Sequence, residues 1–169
     1  MQNSCIMTAN INFEELIGGN NYRLEGAAIA TTTELPADLD FDFWGHDAAQ
    51  QKLMNEDQGL NIGFKWTQDG PLCIGLSTDL YWQVELLFEA VGVSEFELPD
   101  QHRVHEISYV AAPHTYNATF TIPSDLIVPG VYRLVAMINI RHKNPPPPFD
   151  SYMPVAGLVD FGLVQFYED

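Results

Sequence analysis

The clearest pattern in the chain places Trp82, Val84, Leu86, Phe88 and Ala90 in alternation with Gln83, Glu85, Leu87 and Glu89. A second alternation sets Leu60, Ile62, Phe64 and Trp66 against Asn61, Gly63, Lys65 and Thr67. A third sets Tyr116, Ala118, Phe120 and Ile122 against Asn117, Thr119 and Thr121. Successive side chains of a strand point to opposite faces, so a period of two predicts strands with one face buried. Weaker patterns predict strands over 22–32, around Phe96 and Leu98, over 104–111, over 132–140 and over 159–167. About eight strands at this spacing predict an all-β antiparallel sandwich. Helical segments long enough for parallel crossovers are missing, which excludes a doubly wound sheet.

The remainder is less patterned. Residues 1–20 are polar and are expected to form an arm or an added edge strand, leaving 21–169 as one sandwich domain. Residues 34–57 are irregular and acidic, and good helix formers over 47–54 predict a short helix that needs packing to persist. No repeat and no Gly/Ser linker divides the chain.

Composition narrows the function. The 169 residues include 46% hydrophobic and 12% aromatic residues, enough for a real core. Twenty-three carboxylates against seven Lys and Arg give a formal charge of −16. That balance excludes phosphate-mediated nucleic-acid binding and attraction to an anionic membrane surface. It favours solubility, or a basic protein partner. The first residues carry neither a basic segment nor a long apolar run, and the resulting expectation is a cytoplasmic protein. Cys5 and Cys73 are too few for a disulfide framework, and Cys73 lies among apolar residues as a buried, inert thiol. Asn117-Ala118-Thr119 matches a glycosylation acceptor and, with no secretory signal beside it, is read as chance.

One corner carries more specific information. Pro123-Ser124-Asp125 breaks the alternation after Ile122, and Pro129-Gly130-Val131-Tyr132 leads into the next strand. This resembles the tyrosine corner of immunoglobulin-like and fibronectin type III-like domains. The resemblance implies that the Tyr132 hydroxyl bonds back to the chain a few residues upstream and that Tyr132 opens strand F. No cysteine pair is placed to bridge the sheets as in antibody domains, and residues 1–58 have no counterpart in a minimal sandwich.

If Tyr132 opens strand F, residues 141–157 are the F–G loop. Pro145, Pro146, Pro147 and Pro148 form a stiff rod there, followed by Phe149, Tyr152 and Met153, side chains that commonly anchor interfaces. Arg141, His142 and Lys143 gather cationic groups at its entry. The candidate partner-binding residues are Pro146, Pro147, Pro148, Phe149, Tyr152 and Met153.

Metal chemistry has a weaker basis. Asp38, Asp40 and Asp42, with His46, form the one carboxylate group worth testing. An EF-hand loop starting at Asp38 fails, because Phe43 and Ala49 occupy its glycine and glutamate positions. His102 and His105 are three apart and would face opposite sides of a strand. No nucleophile turn and no phosphate loop is present, and no cofactor is expected. The leading expectation is a non-catalytic module that binds a protein partner through 141–157. The alternatives are an acidic decoy for a basic surface, a metal-dependent hydrolase and a structural subunit of a homo-oligomer.

Overall fold

The computed structural model describes residues 6–15, 21–33, 53–55, 58–76, 79–92, 96–144 and 152–168. Within them the strands are β1 (Ile6–Asn10), β2 (Asn12–Glu15), β3 (Arg23–Thr32), β4 (Leu53–Asn55) and β5 (Leu60–Asp69). The short helix α1 (Leu72–Gly75) leads into β6 (Leu80–Ala90). A second helical turn, α2 (Asp100–Arg103), precedes β7 (Val104–Ser108) and β8 (His114–Ile122). A 3₁₀ turn (Ser124–Leu126) then connects to β9 (Gly130–His142) and β10 (Tyr152–Tyr167). No helix among the described residues is long and apolar enough to cross a membrane.

The strands form two sheets, as the alternation predicts. One has four strands in the order β1-β3-β5-β8; the other has six, in the order β2-β10-β9-β6-β7 with β4 beside β10. Every pairing is antiparallel except β4 with β10. Inward positions of both sheets meet in one core. Trp66 of β5 and Trp82 of β6 approach edge to face at 5.6 Å, and Tyr116 of β8 stacks on Trp66 at 5.3 Å. Offset and edge-to-face rings of this kind add to the gain from buried area.

The chain before β3 contributes to both sheets. Met7 is buried, and Ile11 donates its N–H to Gly26, where the chain leaves β3 and crosses to β10. Phe13 then packs edge to face on Trp82 at 6.4 Å.

Two expectations are corrected. The strand predicted around Phe96 and Leu98 is irregular chain. Its side chains still face the core: Leu98 is buried, and Phe96 packs on Phe88 and Tyr132. Among the described residues no ladder pairs this segment, and Arg103 in the next turn bonds the side chains of Glu97 and Asp100. The helix predicted over 47–54 is not present at its last two residues. Leu53 and Met54 belong to β4, where the edge of β10 supplies the backbone partners a two-turn helix lacks. Residues 47–52 lie outside the described residues.

The corner before β9 has the hydrogen bond expected of it. The Tyr132 hydroxyl donates to the Val128 carbonyl at 2.8 Å. Gly130 makes the corner compatible with the ring, because a Cβ there would stand 3.2 Å from the Tyr132 ring and hydroxyl. The ring itself packs against Phe88, Phe96 and Phe166, tying the corner to β6 and β10. Along β10, Gly162 adopts φ 77° at a bulge, and its N–H bonds Asp160 Oδ1 at 2.8 Å. Tyr132→Phe should keep the ring packing and lose the hydroxyl bond, lowering stability by about 1 kcal/mol. For a domain of this size that is a fall of roughly 2–4 °C in Tm; an unchanged melt would deny the corner bond a stabilising role.

Candidate functional site

The candidate site lies at the end of the sandwich opposite the Tyr132 corner. β9 and β10 are neighbours, and Arg141 stands opposite Tyr152 at the mouth of their hairpin. The hairpin's connection therefore spans 143–151, a narrower segment than the expected 141–157. Pro146, Pro147, Pro148 and Phe149 lie outside the described residues, as do Asp38, Asp40, Asp42 and His46. Tyr152 and Met153 belong to β10 and not to a loop, which corrects the expected boundary. Inward-facing Val155 and Val159 extend the strand toward the prolines. Pro154 falls where the pairing with β9 shifts register, a place that needs no ladder N–H. Met153 is half-buried and packs against the core.

Beside the hairpin mouth, the outer corner of the six-stranded sheet is concave. Tyr81, Glu106, Ile107, Ser108 and Lys143 line a depression of about 410 Å³. Strand pairing creates it, because Tyr81 stands between Arg141 of β9 and Ser108 of β7. Lys143 is fixed there by its backbone, whose N–H donates to the Asp79 carbonyl at 3.0 Å. Arg141 donates from Nη1 to Gln83 Oε1 at 2.5 Å, so one cation of the entry is held on the sheet. The depression thus offers an ammonium, a carboxylate and two hydroxyls. These groups can bind peptide backbone and charged side chains by hydrogen bonds.

A buried polar network stiffens this end from inside. Gln68 follows the inward residues Leu60, Ile62, Phe64 and Trp66, and it too is buried. Its Nε2 donates to the carbonyls of Val110 at 2.6 Å and Ala112 at 2.7 Å, and its Oε1 accepts from the Tyr22 hydroxyl at 3.2 Å. Tyr116 accepts from the Val110 N–H at 3.0 Å, and Tyr109 donates to the Cys73 carbonyl at 3.1 Å. The network satisfies polar groups that would otherwise be costly to bury, and it ties β5 to the β7–β8 connection and α1. Cys73 is buried, with Sγ 2.7 Å from the Gly70 carbonyl, and burial pushes its thiol pKa up. A thiol held protonated is a poor nucleophile.

The histidines among the described residues form no metal-binding group. His102 sits in α2 with Nδ1 3.0 Å from the Thr121 carbonyl, while His105 on β7 packs on Phe120. His114 packs edge to face on Tyr116 at 4.7 Å. Among the described residues no three His, Cys, Asp or Glu side chains come together in a metal-binding group.

The sequence pointed to Arg141, His142 and Lys143, but not to Tyr81, Glu106 or Ser108, which reach the depression from β6 and β7. Gln68 did leave a signal, as a polar residue at an inward position of a strand. Comparison with protein-family models, with curated proteins and with solved structures finds no match for this chain.

Two outcomes are expected. Burial raises the pKa of Tyr22 and Tyr116 and pushes Tyr109 from 10.0 up to about 12. The unfolded chain therefore loses these protons first, so stability is intact below about pH 10 and falls as pH rises toward 12. Denaturant midpoints that stay constant between about pH 9 and about pH 11 would contradict this. Met153→Ala should lower stability by about 1–2 kcal/mol, less than truncation at a fully buried site. An unchanged chemical denaturation curve would show that its core contact adds nothing.

Proposed function

We propose that this chain is a non-catalytic protein-interaction module built on an immunoglobulin-like sandwich. The strand order supports that class. With β1, β2 and β4 set aside as additions, β3, β5 and β8 remain in one sheet and β7, β6, β9 and β10 in the other, which resembles the strand grouping of a fibronectin type III-like sandwich. The Tyr132 bond at the turn between β8 and β9 supports it as well.

More particularly, the module binds a protein partner through the end that carries residues 141–157. The observation behind this reading is the depression lined by Tyr81, Glu106, Ser108 and Lys143 at the mouth of the β9–β10 hairpin. It lies on an end braced by the Gln68 network, where a partner meets preset groups and little ordering cost. In the sequence, Pro146, Pro147 and Pro148 form a stiff run after Lys143, and Phe149 and Tyr152 follow as side chains of the kind that anchor interfaces.

The partner's surface is basic. The protein carries a formal charge of −16, and three of its four arginines already pair with its own carboxylates: Arg23 with Asp69, Arg103 with Glu85, Glu97 and Asp100, and Arg133 with Asp160. The uncompensated carboxylates steer a cationic partner toward the molecule. Capture from a lysate of its source, followed by mass spectrometry, tests the reading at two salt concentrations. Phe149→Ala with Tyr152→Ala, and separately Glu106→Lys, should abolish the captured partner without lowering Tm, and higher salt should weaken capture. A partner retained by both variants would sink the assignment to this end.

A further inference from the structure

We propose that the edge of β8 that pairs with no strand among the described residues pairs with the same edge of a second copy of this chain, antiparallel and two-fold symmetric about Asn117. The proposal is independent of the binding role of residues 141–157.

Among the described residues five strands lie at sheet edges, and four of them are short or guarded. β1 has five residues, β2 has four and ends Glu14-Glu15, β4 has three, and β7 has five including Glu106. β8 has nine, and its ladder with β5 runs from Leu60↔Ile122 to Gln68↔His114 without a register shift. It contains no proline, glycine, lysine or carboxylate. These are the devices by which edge strands are usually kept from pairing.

The charge distribution points the same way. The chain holds twenty-three carboxylates, yet β8 has none. On the outer face beside it, β5 presents Asn61, Gly63, Lys65 and Thr67, and its one outward carboxylate, Asp69, lies beyond the ladder with β8 and pairs with Arg23. At this place two copies of a strongly acidic chain can approach with the least like-charge repulsion.

The backbone direction is fixed by one contact. His102, from α2 outside the sheet, reaches the Thr121 carbonyl at 3.0 Å, so the main chain of Thr121 points away from β5. That direction recurs at every second residue of a strand. Thr115, Asn117 and Thr119 therefore turn their N–H and C=O groups outward, and their side chains are exposed. No hydrogen bond joins these main-chain groups to another element among the described residues. His102 closes the edge at Thr121, which limits pairing to the segment centred on Asn117.

In that register Asn117 stands opposite Asn117 of the second copy, and each Thr115 stands opposite a Thr119. All are outward-pointing residues, so each opposed pair exchanges two N–H···O bonds. The two four-stranded sheets become one continuous sheet of eight strands, with Thr–Thr pairs on its outer face.

Sedimentation velocity on the full chain tests this across protein concentration and salt. The expected result is a monomer–dimer equilibrium that shifts toward dimer as salt rises, because salt screens the repulsion of two chains each carrying −16. Capture of a basic partner has the opposite salt dependence, so the two readings fail separately. Asn117→Lys sets like charges on the axis, and Thr119→Pro removes an outward donor while sparing the ladder to β5. Each should give a monomer with its strand circular dichroism retained. If Thr119→Pro fails to fold, Asn117→Lys decides alone. Glu14→Lys, on the edge of the other sheet, should dimerise as the parent does. A parent chain that is monomeric at every concentration overturns the proposal. So does a folded Asn117→Lys that still dimerises, or a dimer abolished by Glu14→Lys.

Discussion

The contact of Trp66 with Trp82 is the constraint on which the rest of the structure depends. Each sheet has one apolar face, and neither can leave that face in water. The two indoles, with Tyr116 stacked on the first, bring together β5 and β8 from one sheet and β6 from the other. Around them the inward residues alternate with outward ones, so a one-residue slip in any central strand would turn its apolar set to solvent. Register is therefore specified by burial in β5, β6, β8 and β9. β10 needs two offsets beside β9: one falls around Pro154, and Gly162 and its bulge absorb the other.

The two ends of the sandwich are closed in different ways. At the end where β9 begins, closure is mainly apolar: the Tyr132 ring packs against Phe88, Phe96 and Phe166, with a single hydroxyl bond to Val128. At the other end Gln68 bonds Tyr22, Val110 and Ala112, and Tyr109 and Tyr116 complete a polar closure. Polar closure specifies geometry more tightly, since each misplaced group would be left buried and unpaired. The stiffer end is the one with the Lys143 depression and the hairpin mouth, a physical reason to place recognition there.

Several elements were legible because their cause is local. The faces of β5, β6, β8 and β9 can be read residue by residue from their alternation. Pro129-Gly130-Val131-Tyr132 announced a corner whose bond is formed within a few residues. β1, β2 and β4 were not legible in the same way. Leu53-Met54-Asn55 carries no strand pattern of its own, and its partner in β10 lies more than a hundred residues away. Phe96 and Leu98 misled for the converse reason. Their inward placement is real, but a strand needs a neighbour with free backbone groups, and among the described residues no ladder pairs this segment.

The sequence by itself determined which side chains face inward, that two apolar-faced sheets would have to cover each other, and that the chain would be strongly acidic. Those properties follow from backbone geometry and composition, which act residue by residue. Only the tertiary structure decided that residues 6–15 split between the two sheets, that β10 starts at Tyr152, and that β8, which carries no carboxylate, has β5 as its one strand neighbour among the described residues. It also decided that Tyr81, Glu106, Ser108 and Lys143 surround one depression. These are outcomes of pairing between distant segments. A strand's alternation states what it buries but not which strand lies beside it, so neighbours, edges and the surfaces between them emerge only when the whole core closes.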